Sequence, residues 1–346
     1  MKDLIDKNYI IDVKIEDLLG EYPNIKDFFT SIGVDNIDIS MTAREISEGL
    51  NEIYLENMGY SRSQILYYFT DFVQKMNEIK YMNNFNIRSL TVIGGHDKSG
   101  KREELELTFE CGQVVCIVGR TGSGKSRLLE DIECLAQRDT PTGRQILVNG
   151  KVPEEKDRFC MDNKIVAQLS QNMNFIMDVT VEEFIKMHAE SRMIYNAGET
   201  VESIIECAND LAGEKFSKDA AVTQLSGGQS RALMIADTAL LSRSPIILID
   251  EIENAGIDRK KAIETLLKKD KIIFMSTHDP ILALMGNTRI VIKNGGIYKV
   301  IKIGKDEKKN LVPLEYIDNK LLEIRNRLRD GEIIDFDIGK YFKYKN

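Results

Sequence analysis

The sequence predicts an α/β fold with a parallel sheet core, preceded by a small all-α domain. Three observations predict it. Apolar residues recur at the 3.6-residue helical period from the N-terminus to about residue 84. From about residue 87 the pattern changes to short β-branched runs, IRSLTVI, ELELTFE and VVCIVG, and strand-length runs then alternate with helical segments to about residue 303. One of those runs, VVCIVG, leads into a glycine-rich loop and a helix, the order in which a parallel sheet presents a ligand site.

The first segment, residues 1–84, reads as a helical bundle. DVKIEDLLGEYP places Ile15, Leu18, Leu19 and Tyr22 on one face. NIKDFFTSIG does the same with Ile25, Phe28, Phe29 and Ile32, and stops at Gly33. TARE is a capping box with Thr42 as cap and Glu45 as its partner, opening a helix that carries Ile46, Leu50 and Ile53. SRSQILYYFTDFVQKM adds Ile65, Phe69, Phe72 and Met76. No catalytic constellation lies in this segment, and docking of a partner is its expected use. YMNNFN reads as a linker, and residues 85–303 as the second domain. The tail, residues 304–346, carries one amphipathic helix with Ile317, Leu321, Leu322, Ile324 and Leu328 on its apolar face.

Composition narrows the function. The net charge is −8, which argues against broad binding to nucleic acid or anionic lipid. No apolar run reaches the roughly 18 residues that span a bilayer, and the N-terminus lacks the pattern of a signal peptide. The expected location is the cytoplasm, or the inner face of the membrane if a partner supplies the membrane part. The five cysteines, Cys111, Cys116, Cys134, Cys160 and Cys207, form no CxxC pair and read as reduced thiols rather than zinc ligands.

VVCIVGRTGSGKSRLLEDI carries the phosphate chemistry. Gly119, Arg120, Thr121, Gly122, Ser123, Gly124, Lys125 and Ser126 match GxxxxGK[ST] in full, with Arg127 next on the helix. Glycines let the backbone curl round an anion with its amides inward, and the following helix adds the positive end of its dipole. Lys125 is expected to reach the β- and γ-phosphates of a nucleotide, and Ser126 to offer its hydroxyl to Mg²⁺. IILIDE supplies the second half: an apolar strand delivers Asp250 and Glu251 to its C-terminal end. Asp250 is expected to hold Mg²⁺ through water, and Glu251 to take a proton from the attacking water.

GRTGSGKS, AQLSQN, LSGGQ, ILIDE, AGID and STHD follow one another in this order. With them the chain resembles the ATP-binding cassette (ABC) ATPases over roughly residues 87–303. The resemblance implies a P-loop NTPase fold of the ABC type, with a mixed or parallel sheet core and a helical signature subdomain, ATP and Mg²⁺ as ligands, and ATP hydrolysis. It makes Gln171 the glutamine that meets Mg²⁺ and links the site to partners, with Gln168 the lesser choice. It makes Leu225–Gln229 the signature, in which Ser226, Gly227, Gly228 and Gln229 face the γ-phosphate held by a second copy. Two copies are then expected to stack head to tail over two ATP molecules. His278 resembles the switch histidine on the γ-phosphate, and Asp258 the acid that couples the two sites. His188 receives no role.

Three departures stand out. Ile252-Glu253 follows the Asp-Glu pair where the family has Pro-Thr. The aromatic residue that stacks on adenine has no clear counterpart, leaving His96 or Ile93 near VIGGHDK, so that ATP is favoured over GTP by the resemblance alone. The segment between AGID and STHD has room for one helix and one strand. A single cassette excludes a two-cassette chain, and the short span from Lys125 to Leu225 excludes a long inserted coiled coil. Two uses remain: a soluble ATPase that remodels or activates a protein such as a metalloenzyme or cofactor-assembly partner, or the ATPase subunit of a membrane transporter with a separate permease. The N-terminal helical segment, residues 1–84, favours the first, since importer ATPases usually begin almost at the cassette. Within it, IEDLLGEYPNIKDFFTSIGVD resembles a small helical domain found beside iron–sulfur and redox proteins, without the cysteine that domain often carries. The Ile252-Glu253 departure also points to a branch away from the common importers.

Overall fold

A computed structural model describes residues 7–22, 24–82, 87–159, 164–170, 175–192, 194, 197–251, 257–267 and 271–342. The first part is all helical: α1 (Lys7–Ile10), α2 (Ile15–Leu19), α3 (Ile25–Ser31), α4 (Ala43–Gly49), α5 (Glu52–Met58) and α6 (Arg62–Met82). The apolar faces read from the sequence converge on one cluster that includes Ile15, Tyr22, Ile25, Phe28, Phe29, Ile46, Phe69 and Met76. Phe28 meets Phe29 and Phe69 edge to face at 5.3 and 5.4 Å between centroids, a favoured aromatic geometry. The capping box at Thr42 and Glu45 is formed.

Ile53 departs from its expected place and is 67% exposed. The sequence pattern runs one helix from Thr42 through Ile53. The chain instead leaves helix at Leu50, whose ψ is 135°, and restarts at Glu52. The break resets the phase, and Leu55 takes the buried position on α5.

The second part begins with β1 (Ser89–Ile93), β2 (Glu106–Glu110) and β3 (Val114–Val118), followed by α7 (Lys125–Glu133), β4 (Gln145–Val148), α8 (Glu155–Phe159) and β5 (Val166–Leu169). A helical section follows, with α9 (Val181–Ser191), α10 (Ala197–Leu211) and α11 (Gly227–Leu240). Then come β6 (Ile246–Asp250), α12 (Arg259–Leu267), β7 (Ile272–Ser276), α13 (Pro280–Met285), β8 (Thr288–Lys293) and β9 (Gly296–Lys302). One helix and one strand do fill the segment between AGID and STHD.

Two sheets form. The larger has the order β5-β6-β7-β3-β8-β9. Its first five strands are parallel and β9 is antiparallel to β8. β3, β6 and β7 stand inside it, and their near-continuous apolar sequences are what strands covered on both faces need. One face packs on α7 through Leu128, Leu129 and Ile132, and the other on α11 and α12 through Ile235, Ile263 and Leu266. The smaller antiparallel sheet, β2-β1-β4, adds Leu90, Val92, Phe109 and Ile146 to the α7 side. α9, α10 and α11 share a core of Phe184, Ile185, Ile204 and Leu233.

The chain ends with α14 (Lys305–Lys308), α15 (Leu311–Arg329) and α16 (Ile338–Tyr341). The tail helix forms where the sequence places it, but no residue of it is buried. Ile317, Leu321, Leu322 and Leu328 all remain exposed.

Candidate functional site

β3 aims its C-terminal end into the loop that precedes α7, at the middle of the parallel sheet, where ligands of open α/β sheets bind. Gly124 holds φ at +106°, and a β-carbon there would come 2.8 Å from the Cα of Gly295. A β-carbon on Gly119 would come 2.5 Å from the Oγ of Ser123. Both positions therefore require glycine. The loop is pinned from outside: Gly295 donates its N–H to the Ser123 carbonyl at 2.7 Å, and Lys98 Nζ donates to the Gly122 carbonyl at 3.1 Å.

The ends of two helices in this part of the chain differ in one telling respect. Ser226 caps α11 and forms a full capping box with Gln229. Gly124 caps α7 with no side-chain bond. The first-turn amides of α7 thus have no side-chain acceptor at their cap, and they carry the positive end of a nine-residue helix. The Oγ of Ser123 is buried with no hydrogen-bond partner. Uncapped amides, an orphaned hydroxyl and a lysine at one loop fit a phosphate chain. Arg120, Thr121, Ser126 and Arg127 flank the loop and are exposed.

β6 delivers Asp250 beside Ser276 of β7, and Glu251 follows at the strand's end. Glu251 has φ of +50°, left-handed for a residue with a side chain, and its N–H donates to the Ser276 carbonyl at 3.1 Å. The loop after β7 carries His278. Its Nε2 lies 2.9 Å from Lys125 Nζ and 3.4 Å from Glu251 Oε1. Lys125 Nζ also donates to the Gly119 carbonyl at 3.2 Å. Three side chains that the sequence scatters over more than 150 positions thus meet at the C-terminal edge of β3, β6 and β7.

The sequence reading missed the support beneath this loop. Arg144 is fully buried and makes four side-chain hydrogen bonds to three partners: Glu103 through Nε and Nη2 at 2.9 and 2.7 Å, Asp131 at 3.0 Å, and the Gly295 carbonyl at 2.9 Å. Asp131 is on α7 and Gly295 is the residue that pins the phosphate loop. Burial alone would raise the pKa of the Glu103 carboxyl. The bonds and charge of Arg144, with the N–H groups of Ile297 and Gly95, outweigh it and hold the carboxyl below its ordinary range. Burial likewise opposes the Arg144 charge, and its two carboxylates override that and raise its pKa. The available signal was Asp131 in LLEDI, an acid on the apolar face of α7.

Other expected residues are placed as follows. Ser226 Oγ accepts from the Gln229 N–H at 3.3 Å, and Gln229 Oε1 accepts from the Ser226 N–H at 2.8 Å. Gly227 and Gly228 form the first turn of α11. Asp258 accepts from the Lys261 N–H at 3.0 Å, ahead of α12. Gln168 faces Glu133, at the opposite end of α7 from Lys125. Gln171, Ile252, Glu253 and Cys160 lie outside the described residues. His96 is exposed with its ring beside Gly143, and Ile93 closes β1 half-buried. His188 bonds Asp237 at 3.1 Å and packs on Phe184, a histidine satisfied by its fold. The other four cysteines are free thiols.

A cavity of about 1150 Å³ opens elsewhere on the chain, lined in part by Ser226, Gly228, Gln229 and Asp258. No phosphate-loop residue lines it.

A family model described as ABC transporter matches residues 103–254. An uncharacterized ABC transporter ATP-binding protein of Methanocaldococcus jannaschii is 52% identical over 247 residues, covering 71% of this chain and 94% of that one. A lipoprotein-releasing system ATP-binding protein of Psychrobacter arcticus is 29% identical over 200 residues, 55% of this chain and 86% of its own. Among solved structures, a dimeric ATP-binding cassette bound to ADP and Pi aligns with 25% identity and a TM-score of 0.47, over 62% of this chain and 99% of that one. With the loop–helix site and the Lys125, His278 and Glu251 cluster on one sheet edge, the chain belongs to the ABC transporter family and is an ATPase of the ABC type, with ATP and Mg²⁺ as its ligands.

Proposed function

We propose that this chain is the ATP-hydrolysing subunit of a membrane transporter whose membrane-crossing part is a separate polypeptide. The meeting of Lys125, His278 and Glu251 at one sheet edge supports the hydrolytic half of that reading. Its relatives support the transport half: one is named an ABC transporter ATP-binding protein and another the ATP-binding protein of a lipoprotein-releasing system. Among the described residues no helix is long and apolar enough to cross a membrane. The expected soluble client gains no support from these relatives. Residues 1–84, which we take as a separate helical docking domain, and the Ile252-Glu253 departure favour it.

The loop from Gly119 to Gly124 and the first turn of α7 would cradle the phosphates, with Lys125 on the β- and γ-groups. Ser126, Asp250 and Gln171 would hold Mg²⁺, which neutralises charge on the phosphate oxygens. Glu251 accepts a proton from the water that attacks the γ-phosphorus in line with the leaving ADP oxygen. His278 donates to a γ-phosphate oxygen as charge builds there. Two copies would close head to tail, each offering Ser226, Gly227, Gly228 and Gln229 to the nucleotide of the other, with Asp258 between the two sites. The separation of phosphate loop and signature cavity within one chain supports that arrangement.

The deciding experiment is capture from native extract with tagged Glu251→Gln chain and Mg-ATP, against Lys125→Ala. A polytopic membrane protein held only by the ATP-bound form supports the transporter reading. A soluble enzyme held the same way overturns it in favour of a remodelled client.

A further inference from the structure

The signature cavity has a wall that the cassette motifs do not account for, and that wall is the C-terminal helix. Asp318, Leu322, Arg325 and Arg329 of α15 line it at steps of four, three and four residues, one stripe of a single helix face. Ser226, Gly228 and Gln229 line the same cavity.

The stripe changes character along its length. At its start α15 is fastened to α12. Arg259 pairs with both Asp318 and Asp279, the residue after His278. Lys260 pairs with Glu315 at 3.1 Å. These contacts fix the helix to the segment that follows Asp258. At its end the stripe turns basic. Arg325 and Arg329 are exposed and have no ion-pair or hydrogen-bond partner among the described residues. Other bases of the same helix are engaged: Lys320 with Glu323 at 3.0 Å, and Arg327 with Glu332 at 3.7 Å. Glu214 lines the cavity too, but its carboxylate pairs with neither arginine, and its carbonyl takes the Gln229 side chain.

We propose that Arg325 and Arg329 bind the triphosphate of the ATP held by the phosphate loop of a second copy, so that the C-terminal helix completes the composite nucleotide site. The proposal rests on the head-to-tail reading of the signature. A guanidinium offers a planar fork of donors suited to phosphate oxygens. A cation supplied from across an interface stabilises the charge that spreads over a transferring phosphoryl group. Holding both arginines unpaired beside the signature keeps them available for that charge, and the acid–base latch at Arg259 and Lys260 supplies the fixed geometry.

The test uses the full chain. Glu251→Gln protein at saturating Mg-ATP is followed by sedimentation for dimer formation. Adding Arg325→Ala and Arg329→Ala should weaken the dimer by about tenfold or more, while Arg325→Lys with Arg329→Lys should restore part of it. The double alanine chain, with Glu251 intact, should also turn over ATP more slowly. Mixed with the Lys125→Ala chain, it should regain part of that turnover, because each mixed dimer then holds one site with an intact phosphate loop and intact arginines. Absence of recovery would place the arginines on their own chain's nucleotide and overturn the assignment. A Glu251→Gln dimer undisturbed by the double substitution overturns it as well. A Glu251→Gln chain that stays monomeric with Mg-ATP removes the head-to-tail reading, and this assignment with it.

Discussion

The Nζ of Lys125 stands 2.9 Å from the Nε2 of His278, and that same ring nitrogen stands 3.4 Å from Oε1 of Glu251. A lysine can donate to Nε2 only while that nitrogen keeps its lone pair. The amine is therefore held between the Gly119 carbonyl and the imidazole, aimed at the mouth of the loop. Phosphate oxygens offer it charged acceptors in place of two neutral ones. Lys125→Ala should lose ATP binding altogether in calorimetry. His278→Ala should keep ATP affinity within a few fold and lose about 10²–10³ in kcat, the usual cost of one missing donor to a charged transition state. Equal losses in affinity and kcat would deny His278 that part.

Glu251 departs from the other two in its backbone. Its φ of +50° follows directly on the last strand residue, Asp250. Such geometry persists where the surroundings enforce it, here a hydrogen bond to Ser276. Glutamine preserves shape and removes the base. Glu251→Gln should bind ATP, lose about 10²–10⁴ in turnover, and accumulate an ATP-bound dimer on gel filtration. Turnover at the wild-type level would remove Glu251 as the base.

The buried Arg144 cluster makes a stability prediction. Arg144→Leu leaves Glu103 and Asp131 buried without their cation, at a cost of about 3–5 kcal/mol. Urea unfolding would show it, and the phosphate loop would loosen through Gly295. The pH dependence has a definite sign. The pKa of Glu103 is lowered in the folded chain, so its contribution is present above the unfolded value of about 4.3 and is lost as pH falls through the lower folded value. Wild type should therefore lose stability below about pH 4 more steeply than Glu103→Gln.

How much of this the sequence discloses depends on whether a feature is local. The phosphate loop, its strand and its helix are contiguous from Val114 to Glu133, and each part carries its own signal. The capping box at Thr42 is equally local, four residues end to end. Ile53 falls elsewhere because one extended residue, Leu50, erases the helical phase, and nothing in its side chain forces the break. Arg144 was invisible because its partners, Glu103, Asp131 and Gly295, come from three distant segments. The tail helix is legible as a helix, yet its apolar face stays uncovered by this chain, which periodicity cannot foretell.

Cys116 offers a simple check on the core. Its thiol lies in β3 on the sheet face away from α7, donating to the Leu282 carbonyl, and burial pushes its pKa up to about 12. At pH 8 only about 1 in 10⁴ of such thiols is ionised, so the nucleophilic form is nearly absent. Cys116 should stay unmodified by iodoacetamide in the folded chain and react once urea unfolds it, as peptide mass mapping would read. Rapid labelling in the native chain would mean that β3 is open to solvent.

The N-terminal helices bear on what the motor serves. Among the described residues their cluster, from Ile10 to Met76, draws on none of the sheet-bearing part. The Methanocaldococcus jannaschii relative is matched over 94% of its length by 247 residues, which leaves 99 of the 346 here without counterpart in it. A chain of residues 85–346 should therefore melt cooperatively and hydrolyse ATP at a rate close to the intact chain. If residues 1–84 dock a partner, what disappears is the protein captured by the Glu251→Gln form, with basal hydrolysis left in place. A truncated chain that no longer melts cooperatively would instead make the helices part of the cassette's own core, and would remove docking as the reason for their presence.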